Sequence, residues 1–153
     1  MKEIKWGFIG CGEVTEKKSG PAFNEVAGSK VVAVMSRSED KARSYAERHH
    51  IRKWYTDAQE LIDDPDVNAV YIATPPSSHA TFAIMSMKAG KPVYVEKPLA
   101  ASYNECIRIN RALSKFKRSA SPVALVKKAR FALIVLSVAE GLKKPIIVSS
   151  LFF

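Results

Sequence analysis

Apolar residues fall along this chain in two alternating rhythms. Compact runs at 4–9, 30–35, 68–73 and 91–95, with a brief one at 53–55 expected at a sheet edge, have the length and near-continuous apolarity of strands. The Val-rich run at 30–35 reads as a parallel strand covered on both faces. The stretches between these runs predict helices. Residues 13–27 predict one that is interrupted at Gly20-Pro21, so that a short turn comes first and the helix restarts at Pro21 with Ser19 near its cap. Ser38-Glu39-Asp40 caps a helix running to about His49, and Asp57 caps one carrying Leu61 and Ile62. A helix over 78–89 is closed by Gly90, and one over 102–115 carries Ile107, Leu113 and Phe116 among its apolar positions.

Strand and helix alternate throughout this region, and connections of helical length join parallel strands. The fold class is therefore α/β: a doubly wound parallel sheet of Rossmann type with right-handed crossovers. Such sheets bind ligands beyond the carboxyl ends of their strands. Here those ends are Gly10-Cys11-Gly12, Ser36-Arg37, Thr74-Pro75-Pro76 and Glu96-Lys97-Pro98, and all four are expected to meet at one crevice.

The first of them is a Gly-x-Gly turn. Gly10 allows the tight turn, Gly12 lets a pyrophosphate approach the backbone, and Glu13 and Val14 open an element whose N–H groups face that anion. Thr15 replaces the third Gly or Ala of the dinucleotide fingerprint, so the turn alone reads equally well as an ordinary strand end. Taken with the other three strand ends, it makes a coherent dinucleotide site. Ser36-Arg37 stands where NAD-preferring domains place an acid on the ribose 2′-hydroxyl; with no acid there, the pair favours NADP over NAD, the other reading of Arg37 being a solvated surface residue. Lys97 at the mouth of the crevice is suited to proton transfer or to a hydrogen bond with a substrate hydroxyl, and otherwise is a surface lysine. Pro98 is a candidate for a cis peptide bond. His79 either borders a nicotinamide or assists the helix start. His49-His50 lacks the carboxylate or thiol pattern of a metal site, so no metal is expected, and Cys11 reads as a small packing residue.

The totals change this picture in one respect. With 153 residues there is room for a single α/β core, and Cys11 and Cys106 form no spaced pair, which fits a reducing cytoplasm; no leader peptide is expected. The net charge of +9 lies wholly between Arg108 and Lys144, where ten basic residues stand against Glu140. Nucleic-acid binding through the basic last third is disfavoured, because the only aromatics from Arg108 onward are Phe116, Phe131, Phe152 and Phe153, three of them in apolar runs.

Gly-Phe-Ile-Gly-Cys-Gly at 7–12, Ala-Thr-Pro-Pro-Ser-Ser-His at 73–79 and Val-Glu-Lys-Pro-Leu at 95–99 together resemble the glucose-fructose oxidoreductase, inositol dehydrogenase and MocA (Gfo/Idh/MocA) family over residues 3 to about 117. The resemblance implies an N-terminal domain that binds NAD(H) or NADP(H), with hydride transfer at a hydroxyl-bearing carbon of a sugar, polyol or related molecule. It carries pyrophosphate binding to Gly10 and Gly12, the Thr-Pro loop to Thr74, Pro75 and His79, and substrate binding with proton transfer to Lys97, flanked by Glu96 and Pro98.

The same resemblance implies a second α/β domain forming the substrate wall, of which 141–153 looks like the join and first strand. Residues 1–120 are thus expected to form the dinucleotide-binding domain, and 121–153 a basic and apolar segment that starts a largely absent second domain. After its sixth strand the family has a Tyr/Arg-rich segment; this chain has Val126-Lys127-Lys128-Ala129-Arg130, of which only Arg130 matches. Residues 131–139 are too short to span a bilayer, and with 146–153 they are expected to leave an apolar face that drives self-association. The function expected is that of an NAD(P)-dependent oxidoreductase represented mainly by its cofactor domain, the alternative being a dinucleotide-binding module without turnover.

Overall fold

Among the described residues, six strands build one parallel sheet in the order β3-β2-β1-β4-β5-β6. The structure, a computed structural model, describes residues 3–118 and 147–149. In chain order the elements are β1 (Ile4–Ile9), a π-helical turn (Val14–Lys18), α1 (Ala22–Glu25), β2 (Ser29–Met35), α2 (Glu39–Arg48), β3 (Lys53–Tyr55), α3 (Ala58–Asp63), β4 (Ala69–Ile72), α4 (Pro76–Lys88), β5 (Val93–Val95), α5 (Tyr103–Arg118) and β6 (Ile147–Ser149). The doubly wound architecture matches the apolar pattern: β1 and β4 lie centrally and are covered on both sides.

Side chains alternate across the strands and so divide the core in two. One face carries Trp6, Phe8, Val34, Tyr71 and Tyr94 against Phe23 of α1 and Tyr45 of α2. Phe23 is its hub, with ring centroids 4.9 Å from Trp6, 4.9 Å from Phe8 and 4.8 Å from Tyr71. The opposite face carries Ile9, Met35, Val70, Ile72 and Val95 against Leu61 and Ile62 of α3, Ala83 and Met87 of α4, and Ile109 and Leu113 of α5. In α5, Leu113 is buried as the pattern predicts, Ile107 is half-buried, and Ile109 takes the inward position.

Several boundaries differ from the sequence reading for identifiable reasons. The stretch 13–27 is not one helix with a break. It is a five-residue π-helical turn followed by the single-turn α1, and Val26 is already extended. Thr15 drives this: its fully buried hydroxyl donates to Gly12 O at 2.8 Å and approaches Gly10 O at 3.3 Å, while Ser19 N–H closes the wide ring to Val14 O at 3.0 Å. Gly20 then comes so near that a Cβ there would stand 1.7 Å from Thr15 O. Ser19 does not cap α1; its hydroxyl bonds to Val14 O and Tyr71. Ser38 occupies the N-cap of α2 without a side-chain capping bond. The Asp57 cap forms as expected, accepting from Gln59 N–H at 2.7 Å and Glu60 N–H at 3.2 Å. Helix α4 starts two residues early, at Pro76, because a proline suits a first helical turn, and Gly90 at φ +72° stops it.

At the sheet's far edge β6 pairs parallel with β5 through Ile147, Val148 and Ser149. These three residues extend the first sheet, in a stretch where the sequence reading placed the opening strand of a second domain. The expected apolar face at 131–139, the Arg130 match and most of 146–153 lie outside the described residues. Among the described residues, no helix is long and apolar enough to cross a membrane.

Candidate functional site

At the carboxyl ends of β1, β2 and β4 the loops enclose a cavity of about 270 Å³, lined by Gly10, Cys11, Gly12, Met35, Ser36, Arg37, Lys41, Ala73, Thr74, Pro75, Ser77, Ser78 and Phe82. Three of the four strand ends singled out from the sequence therefore converge. Gly10 sits at φ +114°, and a Cβ on it would come within 2.7 Å of Ala73 O; only glycine lets β1 and β4 close up here. Gly12 is different. A Cβ there would meet nothing within 4 Å, so its bare backbone faces open space rather than a neighbouring chain segment.

The next element holds this loop from behind. Glu13 and Val14 do not line the cavity: Glu13 is exposed and pairs with Lys17 at 3.4 Å, and Val14 accepts the bonds that shape the π-helical turn. The turn is tied to α2 by Tyr45, whose hydroxyl donates to Thr15 O at 2.8 Å, and by Glu16, which accepts from Arg48 at 3.0 Å and lies 3.1 Å from His49 Nε2. The Arg48 hydrogen bonds hold the Glu16 carboxyl below its ordinary range. His49 thus belongs to an ion-paired face, stacked on Tyr45 at 4.3 Å, while His50 ends α2 with φ 55°. Among the described residues no group of three His, Cys, Asp or Glu side chains could hold a metal ion.

On the β2 side, Ser36 is fixed by its N–H to Tyr55 O at 3.1 Å, which sets the start of the loop bearing Arg37. Lys41 joins Arg37 on the cavity wall, and among the described residues no acidic side chain lines it. Lys41 was missed from the sequence: it lies on the first turn of α2, whereas Arg37 stands on the loop before the extended N-cap Ser38, so the loop and not a helical spacing brings the two cations together. Ser77, Ser78 and Phe82 were missed as well. They come from α4, where Ser78 Oγ donates to Thr74 Oγ1 or Pro75 O, at 2.7 and 2.8 Å, and so stiffens the Thr74-Pro75 wall.

Cys11 lies in the lining with its thiol 3.5 Å from Met35 O. Burial, with a smaller push from Glu16, raises its pKa to about 12, so it stays a protonated packing residue.

The fourth strand end stands apart. Glu96, Lys97 and Pro98 follow β5 but do not line the cavity; Lys97 is exposed, and the Lys97–Pro98 peptide bond is cis. His79 links the two places. Its ring is 1 % exposed, with Nδ1 2.9 Å from Pro98 O and Nε2 2.6 Å from Thr74 O. Tyr71, fully buried, donates to Glu96 Oε1; burial and then that carboxylate keep the phenol protonated far beyond its usual range.

A second polar cluster lies at the amino ends of β3, β4 and β5. Lys53 bonds to Asp64 at 2.8 Å and Asp66 at 2.7 Å, Tyr55 donates to Asp64 at 3.0 Å, and Lys91 donates to Asp64 O at 2.8 Å. It closes the end of the sheet away from the cavity.

Comparison with known proteins gives a consistent result. Residues 4–122 match the family GFO_IDH_MocA, described as an oxidoreductase family with an NAD-binding Rossmann fold. The chain is 44% identical over 144 residues to Oxidoreductase P35 of Formosa agariphila, which covers 94% of this chain and 44% of that protein. It is 33% identical over 111 residues to an inositol 2-dehydrogenase of Acidothermus cellulolyticus, 72% of this chain and 33% of the relative. Among solved structures, a 3-ketoreductase from Actinomadura kijaniata in complex with NADP and TDP-benzene superposes with a TM-score of 0.69 at 29% identity, covering 74% of this chain and 35% of that one. The chain thus spans a third to under a half of the length of these relatives.

Proposed function

The chain belongs to the Gfo/Idh/MocA oxidoreductase family, and from that premise we propose that its cavity holds NADPH in preference to NADH, as the cofactor end of an oxidoreductase acting on a sugar, polyol or related hydroxyl compound. The observation that carries this reading is the lining itself: an open backbone approach at Gly12, two cations at Arg37 and Lys41, and, among the described residues, no carboxylate. Anionic phosphates fit that donor set. Pyrophosphate oxygens would meet the backbone of Gly10 to Gly12, and a ribose 2′-phosphate would meet Ser36, Arg37 and Lys41 through charge-assisted hydrogen bonds. A carboxylate at Arg37 would favour a free 2′-hydroxyl instead. Thr74, Pro75 and Phe82 supply the apolar wall that excludes water beside the dinucleotide.

The bound nicotinamide would accept or release the hydride. Lys97, exposed on its loop, would bind the substrate hydroxyl and take up or return its proton. Sugar-like substrates are supported by the relatives named inositol 2-dehydrogenase and 3-ketoreductase. The apolar runs at 131–139 and 146–153 support self-association, and free Cys11 and Cys106 support a reducing, cytoplasmic setting.

Fluorescence titration with NADPH and NADH tests the cofactor reading. Arg37→Ala or Lys41→Ala should weaken NADPH by about tenfold or more, the worth of one charge-assisted hydrogen bond, and NADH by much less. Equal losses for both cofactors would remove the 2′-phosphate assignment. Turnover against a panel of sugars and polyols then separates an oxidoreductase from a dinucleotide-binding module.

A further inference from the structure

We propose that Tyr71 and His79 are positioning residues that clamp Lys97 from both sides and couple its loop to the cavity wall. The two side chains come from one β–α unit, Tyr71 from β4 and His79 from the first turn of α4. Each is a buried polar group whose bonds end on a neighbour of Lys97. On one face of the sheet, Tyr71 donates its phenol hydrogen to Glu96 Oε1, and Glu96 Oε2 in turn accepts from Lys97 N–H at 3.3 Å. On the other side, His79 Nδ1 meets Pro98 O.

Neither bond is incidental to packing. The Tyr71 ring is held between Phe8 at 4.9 Å and Phe23 at 4.8 Å and stacks on Tyr94 at 5.3 Å, so its hydroxyl has one fixed position, and Ser19 meets it from the π-helical turn behind the glycine loop. The second nitrogen of His79 lies 2.6 Å from the carbonyl oxygen of Thr74, which lines the cavity; both partners are carbonyl acceptors, so a neutral ring donates to one of them at a time and packs its other nitrogen against the second. The Lys97 loop, which does not itself line the cavity, is therefore referenced to both of its walls: to the glycine-loop side through Ser19 and Tyr71, and to the Thr74-Pro75 side through His79. A reacting amine must be held within a fraction of an ångström of its productive place, and fixing the backbone on both sides of Lys97 narrows the range its side chain can sweep.

The functional weight of this clamp rests on the proposed role of Lys97, but its existence can be measured without cofactor. Amide exchange and NMR of the free chain are the test. Tyr71→Phe keeps the ring and loses the hydroxyl's bonds to Glu96 and Ser19, so the Lys97 amide should exchange about tenfold faster while Phe8 and Val34 in the sheet keep their rates. The Lys97 Cε–Nζ resonances should move, and the methyls of Ile9 and Ile72 should not. His79→Ala should have the same effect on the loop, and His79→Gln, which retains one donor, should restore part of the protection. Lys97 exchange unchanged in both Tyr71→Phe and His79→Ala, or faster only in step with Phe8 and Val34, would overturn the proposal. Should His79→Ala not fold, Tyr71→Phe and His79→Gln decide it. A chain that has the clamp and fails to bind NADPH would refute the cofactor reading alone.

Discussion

Gly10 and Gly12 stand two residues apart and are predicted to fail in opposite ways when each is replaced by alanine. At Gly10 the backbone has φ +114°, which costs a side-chain-bearing residue about 1–3 kcal/mol. The new Cβ would also stand 2.7 Å from Ala73 O. That oxygen cannot easily retreat, because Ala73 N–H is bonded to Ile9 O at 2.9 Å and Gly10 N–H to Met35 O at 2.9 Å. Strain and overpacking together should destabilise the fold by about 3–5 kcal/mol. At Gly12 a Cβ meets nothing within 4 Å and φ is not positive, so stability should hold or rise by about 0.4–1 kcal/mol as the unfolded chain loses freedom. Binding should show the reverse order of interest. A methyl group on Gly12 keeps a pyrophosphate off the backbone, and losing one charge-assisted bond of about 1.5–3 kcal/mol weakens NADPH by roughly tenfold to over a hundredfold. Urea unfolding measures the first quantity, and NADPH fluorescence titration the second. If Gly12→Ala binds NADPH as tightly as the parent chain, the glycine is not there for a phosphate and the reasoning fails.

Three further outcomes follow from the same structure. Phe23→Ala removes the hub of the aromatic face and should cost about 3–5 kcal/mol in urea unfolding, since four buried rings lose a common neighbour. Acid should destabilise the protein through Asp64 and Glu16. Burial opposes ionisation of Asp64, but Lys53, the Asp66 N–H and Tyr55 outweigh it and hold the carboxyl below the ordinary 3.8, while Arg48 holds Glu16 below 4.5. Both folded values are lowered, so their stabilisation is complete above the ordinary values and is lost as pH falls through the folded ones; the urea midpoint should be flat near neutrality and drop below about pH 4, with a shallower drop in Asp64→Asn. Lys97→Ala should leave NADPH affinity within about threefold, because Lys97 is outside the cavity lining, and a collapse of binding would place it in the cofactor site instead.

The layered fold was legible because its strands announce themselves as apolar runs of the right length, and the cavity because the rule of carboxyl-end binding picks out Gly10, Ser36-Arg37 and Thr74-Pro75 in advance. What was not legible depended on contacts between residues far apart in sequence. Thr15 looked like a departure from a glycine fingerprint. In three dimensions its hydroxyl folds back on Gly12 O and Gly10 O and converts the expected helix into a π-helical turn. His79 offered two readings, a border to the nicotinamide or an aid to the helix start, and neither signals that its ring lies between Thr74 O and Pro98 O, nineteen residues on. Tyr71 carried no signal beyond an aromatic in a strand, since nothing in the sequence aligns its hydroxyl with Glu96. Lys41 was not legible either, because Arg37 precedes the extended N-cap Ser38 and the loop, not a helical repeat, sets the two side chains on one wall.

The central claim is that the cavity at the ends of β1, β2 and β4 is a dinucleotide site. Titration of the isotope-labelled chain with NADPH, followed by amide chemical shifts, tests it most directly. The account predicts saturable shifts concentrated at Gly10 to Gly12, Ser36 to Lys41 and Thr74 to Phe82, with the Asp64 cluster at the far end of the sheet unmoved. No shifts at millimolar NADPH, or shifts gathered instead in the basic stretch from Arg108 to Lys144, would contradict it.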